Sequence, residues 1–125
     1  MSEKNKILVE ALPHYIEEQS SPEEHRYVFA YTITITNTGI MAAKLISRHW
    51  LITDANGKIQ EVQGEGVIGK QPYLRPGEVF RYTSGAMIET PVAVMKGKYI
   101  MLSENGDDFH AAIPSFTLSI PRVLH

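Results

Sequence analysis

"RYVFAYTITITNTG", Arg26–Gly39, alternates without a break. Tyr27, Phe29, Tyr31, Ile33 and Ile35 fall on one side, and Val28, Ala30, Thr32, Thr34 and Thr36 on the other. A run of β-branched and aromatic residues at period two is a long strand with one face on a core. Asn37, Thr38 and Gly39 then supply turn chemistry. Working outward, "AAKLISRHWLITDANGKIQEVQ" reads as a hairpin closed by Asn56-Gly57, since both residues tolerate the positive φ of a tight turn. Its first arm places Ile46, Arg48, Trp50 and Ile52 on one face and Leu45, Ser47, His49 and Leu51 on the other. Its return arm is expected over Lys58–Gln63.

The rest of the chain follows the same rule. Pro76-Gly77 suits the centre of a type II turn, and Val79–Ser84 alternates after it. Asn105-Gly106 predicts a second hairpin with arms Tyr99–Ser103 and Phe109–Ile113. A last strand carries Phe116, Leu118 and Ile120 on one face. At the N-terminal end, "KILVEALPHYIEEQSSPEEH" is expected to hold a strand, with Pro13 placing it at an edge or bulge. Ser20–Glu24 is its polar loop, and "PRVLH" is expected to be a loose tail. No segment shows a helical period. About seven or eight short strands punctuated by Gly, Pro and Asn define an all-β protein, an antiparallel sandwich or barrel, with the β-sandwich favoured over a closed barrel.

The composition narrows the function classes. The chain has 125 residues, the size of one domain, expected over residues 1–125. It has no Cys, which excludes disulfides, thiolate metal sites and Cys nucleophiles. The formal net charge of −2 gives no basic field for nucleic acid. No apolar run is long enough to insert in a membrane, and the N-terminus lacks a signal-peptide pattern. A cytoplasmic protein is expected.

"GEGVIG", Gly64–Gly69, matches the G-x-G-x-x-G dinucleotide fingerprint letter for letter. That fingerprint works by seating pyrophosphate on the N-terminus of the following helix. Here "KQPYLRPG" follows, and Pro72 and Pro76 forbid the helix. Two readings of the glycines remain: positive φ or close backbone approach in a sharp loop, or a nest of amides holding an anion without a helix. In the second, Gly64, Gly66, Gly69, Lys70 and Arg75 form the candidate ligand-binding loop, with Arg81 nearby in sequence. "RHW", Arg48, His49 and Trp50, is a candidate interaction patch, since Trp and Arg dominate binding hot spots; the alternative is a core Trp flanked by polar residues. Asp108 and His110 share a strand face, but zinc needs three or four protein ligands. No metal site, cofactor or catalytic set is assigned, and the protein is expected not to be an enzyme.

"SRHWLITDANG", "EVQGEGVIGKQPYLRPGE", "FRYTSG", "GKYIM" and "IPSFTLSIP" resemble, in that order, the ApaG family, also called CorD. The resemblance runs from about Val9 to Pro121. It implies an immunoglobulin- or fibronectin-III-like sandwich. It also implies a small bacterial protein linked to cobalt tolerance and magnesium efflux, with no established enzyme activity. The family's gene commonly neighbours those of a diadenosine tetraphosphate hydrolase and a ribosomal RNA dimethyltransferase. Similar domains in some F-box proteins and a DNA-polymerase-delta-interacting protein look like interaction modules. The family's glycine motif falls on Gly64, Gly66 and Gly69. The expected function is therefore a protein-binding module with another protein as partner. The alternative is a sensor of a small anion, such as pyrophosphate or a dinucleotide polyphosphate, or of a metal ion. Edge strands also leave a homo-oligomer open.

Overall fold

The computed structural model describes residues 4–121. Eight strands follow in chain order: β1 (Ile7–Tyr15), β2 (Tyr27–Asn37), β3 (Ala43–Asp54), β4 (Ile59–Glu65), β5 (Tyr73–Leu74), β6 (Val79–Ile88), β7 (Val92–Ser103) and β8 (Asp108–Ser119). They make two antiparallel sheets, one ordered β1-β2-β6 and the other β4-β3-β7-β8, with β5 pairing the start of β3. The chain thus builds an antiparallel immunoglobulin-like sandwich. Among the described residues there is no α-helix; Pro22–Glu24 is a single 3₁₀ turn in the expected polar loop, and Glu17–Gln19 is another in the stretch expected to continue the N-terminal strand, since β1 ends at Tyr15. His125 and all but the first residue of "PRVLH" lie outside the described residues.

β2 alternates as the sequence dictates. Every odd residue from Tyr27 to Asn37 is buried and every even one is half-buried. The inward side chains of both sheets meet in one core built on Phe29, Ile33, Ile35, Leu45, Trp50, Met95, Tyr99, Met101 and Leu118. Each such side chain contributes about 2 kcal/mol by leaving water. Trp50 is the hub, with the rings of Tyr31, Tyr99 and Phe116 centred 5.4, 6.5 and 5.9 Å away, all edge-on. β1 is an edge strand, as Pro13 requires. Gly77 at φ 87 and a Glu78 N–H to Arg75 carbonyl bond of 2.9 Å close the Pro76-Gly77 turn.

Two bulges correct the alternation expected from sequence. Along β3, Leu45 pairs Met101 while Ser47 pairs Ile100, so Ile46 is an extra residue. The bulge resets the parity: Leu45 and Trp50, expected on opposite faces, both enter the core. Along β8, Phe116 pairs Met95 while Ile113 pairs Gly97. The extra residue lies at Pro114-Ser115, and it lets Ile113 and Leu118 both point inward. The expected arm Phe109–Ile113 and the expected last strand are therefore one strand bent at its proline. β7 likewise starts at Val92 and crosses Gly97. A Cβ there would lie 2.2 Å from the His49 carbonyl oxygen, so only glycine lets β7 approach β3 this closely.

Candidate functional site

The return arm of the first hairpin extends past its expected end, and Gly64 lies inside β4, paired with Arg48. The reason is side-chain size. The Arg48 guanidinium lies flat over Gly64, with both terminal nitrogens 2.9 Å from where a Cβ would stand. From there Arg48 Nη1 donates to the Glu65 carbonyl at 3.0 Å and the Gly66 carbonyl at 2.8 Å. Arg48 therefore ties down the start of the glycine loop.

Beyond Glu65 the chain turns sharply. The Gly66 N–H donates to the Ile46 carbonyl at 2.8 Å, and Gln71 Nε2 donates to the same oxygen at 2.9 Å. The bulged residue of β3 thus supplies the acceptor that anchors both ends of the loop. Val67 and Lys70 exchange N–H to carbonyl bonds of 2.8 and 2.9 Å around a two-residue tip. At that tip Ile68 has φ 43 and Gly69 φ 78. Positive φ at both central residues is the geometry of a type I′ turn. Gly66 is held at φ 61, and a Cβ on it would lie 2.1 Å from the Lys70 carbonyl oxygen. Val67 is fully buried beneath the turn, while Ile68 is 53 % exposed.

So the amides of Gly66, Val67 and Lys70 are consumed within the fold, and Ile68 and Gly69 keep theirs at the tip. The two expected cation neighbours lie elsewhere. Arg75 pairs Glu78 at 3.8 Å beside the Pro76-Gly77 turn, and Arg81 donates to Thr34 Oγ1 at 3.1 Å on the outside of the other sheet. Lys70 alone stays with the loop. It lines an open groove of about 530 Å³ with Pro72, Tyr73, Glu78 and Phe80.

Arg48, His49 and Trp50 do not form one patch. Trp50 is 2 % exposed, a core residue, because β3 turns it inward. His49 points outward, and its Nε2 lies 2.6 Å from Glu61 Oε2 on β4. Gln63 donates to the same oxygen at 3.0 Å. The hydrogen bond with His49, then that from Gln63, holds the Glu61 carboxyl below the ordinary carboxylate range.

Three features escaped the sequence reading. Asn37 reads as a turn residue but is fully buried. Its amide donates to the carbonyls of Met41 and Leu74, each at 2.9 Å, and its oxygen accepts the Gly39 N–H at 2.9 Å. Tyr82 and Tyr99, from opposite sheets, share a hydroxyl hydrogen bond of 2.5 Å in the core. Burial pushes the Tyr82 phenol up to about 12 and raises Tyr99 further, while the nearby Arg48 charge opposes both rises. Third is Ile68 itself. The spacing Val67-x-Gly69-Lys70 was the available signal, since a glycine in second place is what a two-residue turn asks for.

The fold and this loop define a class: a small antiparallel sandwich whose glycine-rich connection is locked by its own hydrogen bonds and shows an apolar residue at its tip. An ApaG domain model matches residues 17–103. The chain is 59 % identical over 124 residues to Protein ApaG of Aromatoleum aromaticum, covering 99 % of this chain and 98 % of that one. It is 56 % identical to Protein ApaG of Dechloromonas aromatica, with both chains fully covered. The crystal structure of a Bordetella pertussis ApaA protein superposes with a TM-score of 0.94 at 49 % identity, covering 97 % of this chain and 98 % of that one. The chain belongs to the ApaG family. An Archaeoglobus fulgidus protein with a TM-score of 0.54 and 9 % identity shares the fold alone.

Proposed function

We propose that the protein is a non-enzymatic protein-binding module, and that the turn at Ile68 with the groove beside Lys70 and Tyr73 receives the partner. One observation carries this reading. Ile68, a β-branched residue, is held at φ 43 with half its surface in water. A left-handed conformation costs such a residue about 1–2 kcal/mol, which asparagine or glycine would largely avoid. Strain of this kind persists where the surroundings over-determine it, and it collects at functional positions. Here buried Val67, the two carbonyls held by Arg48 and the paired Val67 and Lys70 do the holding. Exposed Tyr73 extends the apolar surface. Apolar and aromatic anchors rimmed by a charge such as Lys70 are what a protein partner takes.

The cobalt and magnesium link that the family resemblance implies belongs to this reading through a partner. Among the described residues no three His, Asp or Glu side chains group to hold a metal ion. No helix among them is long and apolar enough to cross a membrane. The anion-sensor reading retains the Ile68 and Gly69 amides and Lys70.

A single substitution separates these readings. Ile68→Asn should raise stability by about 1 kcal/mol, because asparagine accepts the left-handed region. It should also abolish crosslinking of partner from a photoreactive residue placed at Tyr73. Undiminished crosslinking would remove the turn from the interface. Chemical-shift movement of the Ile68 and Gly69 amides with pyrophosphate below about 1 mM, a binding energy near 4 kcal/mol, would favour the sensor.

A further inference from the structure

The outer face of the three-stranded sheet borders the groove beside Lys70 only through Val79, and the rest of it serves nothing described so far. Its outward side chains are Leu8, Glu10, Leu12 and His14 on β1, the threonines of β2 with Val28 and Ala30, and Val79, Arg81, Thr83, Gly85 and Met87 on β6. Four of these are large and apolar yet open to water: Leu8 at 48 %, Leu12 at 68 %, Val79 at 54 % and Met87 at 55 %. Only Glu10, His14 and Arg81 are ionisable. Glu10 and Arg81 flank Thr34 in one row across the sheet. Arg81 is laid over that threonine by its bond to Thr34 Oγ1, and Thr32 and Thr83 are joined hydroxyl to hydroxyl at 2.8 Å in the next row. Neither Glu10 nor Arg81 belongs to an ion pair among the described residues.

We propose that this face binds a second copy of the chain across a two-fold axis parallel to β2. Such an axis carries β1 of one copy over β6 of the other. Glu10 of each copy then faces Arg81 of its partner, and Leu8 of each faces Val79. Leu12 comes over Thr83, and His14 over Gly85. No like charges meet. The charge order across the row is therefore self-complementary, as an isologous contact demands. An axis parallel to β2 keeps that strand parallel in the two copies, within the roughly 30° that aligned sheet packing allows. Three strands of about ten residues present a face of roughly 15 by 30 Å. That buries on the order of 1,000 Å² in total, the lower edge of specific interfaces, so the dimer is weak and concentration-dependent.

Sedimentation equilibrium of the full chain from about 10 μM to about 1 mM tests this, a range that reports associations of roughly 4–7 kcal/mol. Wild type should move towards twice the chain mass. Glu10→Arg alone and Arg81→Glu alone each turn both attractive pairs into repulsive ones, and each should weaken self-association about tenfold or more. Both positions are exposed, so the fold should survive, and far-UV circular dichroism checks it. An equimolar mixture of the two variants should dimerise as strongly as wild type, because the hetero-pair restores both contacts. A wild type that stays monomeric at the highest concentration overturns the proposal. So does a dimer indifferent to either reversal, or a mixture that does not recover.

Discussion

Gly66→Ala tests what the glycine loop is built for. At Gly66 a Cβ would stand 2.1 Å from the Lys70 carbonyl oxygen, a backbone atom with no rotamer to give way. To accept the methyl group that carbonyl must retreat by roughly 1 Å, beyond hydrogen-bonding range of the Val67 N–H it now accepts. The reciprocal bond from Lys70 N–H to the Val67 carbonyl goes with it. Two hydrogen bonds at about 1 kcal/mol each, with about 1 kcal/mol for alanine at positive φ, give a loss of about 3 kcal/mol. Gly69 is the internal control. It too has positive φ, but nothing lies within 4 Å of its would-be Cβ, so Gly69→Ala should cost only the conformational share, about 1 kcal/mol. Urea unfolding of both variants reads the difference directly, with unchanged m-values showing that the unfolded states are comparable. Equal losses, or a Gly66→Ala loss under about 1 kcal/mol, would refute the close-approach reasoning.

Other outcomes follow from the core and the loop anchor. Burial raises the phenols of Tyr82 and Tyr99 above their ordinary 10.0, so the unfolded chain releases these protons first as pH rises. Stability should be intact below about pH 10 and fall towards pH 12, by up to about 1.4 kcal/mol per pH unit for Tyr82 alone; urea midpoints at stepped alkaline pH, with Tyr82→Phe flattening the slope, check it. Asn37→Ala removes three hydrogen bonds of a buried side chain and should cost about 3 kcal/mol in the same assay. Asn37→Asp should fare little better, because a carboxylate cannot donate to the Met41 and Leu74 carbonyls. Arg48→Lys swaps a flat fork for a point charge over Gly64, and should cost about 1–2 kcal/mol. Hydrogen exchange of residues 64–70 should accelerate with it.

Much was legible in sequence because strands write a period-two code wherever one face is buried. Tyr27–Asn37 shows that code unbroken, and β2 obeys it residue by residue. Asn56-Gly57, Pro76-Gly77 and Asn105-Gly106 marked turns because positive φ is a local demand that few residues meet. The prolines after "GEGVIG" excluded the phosphate-binding helix for the same local reason. What the period cannot show is a place where it slips. A bulge is one extra residue opposite a partner far along the chain, so Ile46 looks like ordinary strand, Pro114-Ser115 looks like a break between two strands, and plain alternation puts Leu45 on the face opposite Trp50.

The candidate site divides along the same line. That a glycine-rich connection lies within residues 64–69, and that no helix follows it, rests on local backbone physics the sequence carries alone. Which amides are consumed, and what Arg48 does, depend on partners brought close only by tertiary structure: the Ile46 carbonyl released by a bulge, and a Gly64 without a side chain to keep the guanidinium away. Trp50 reads as core before hot spot, and only the second sheet covering it decides between them. The strain at Ile68 is invisible in a list of residues, because an isoleucine enters the left-handed region only when both ends of its turn are already held.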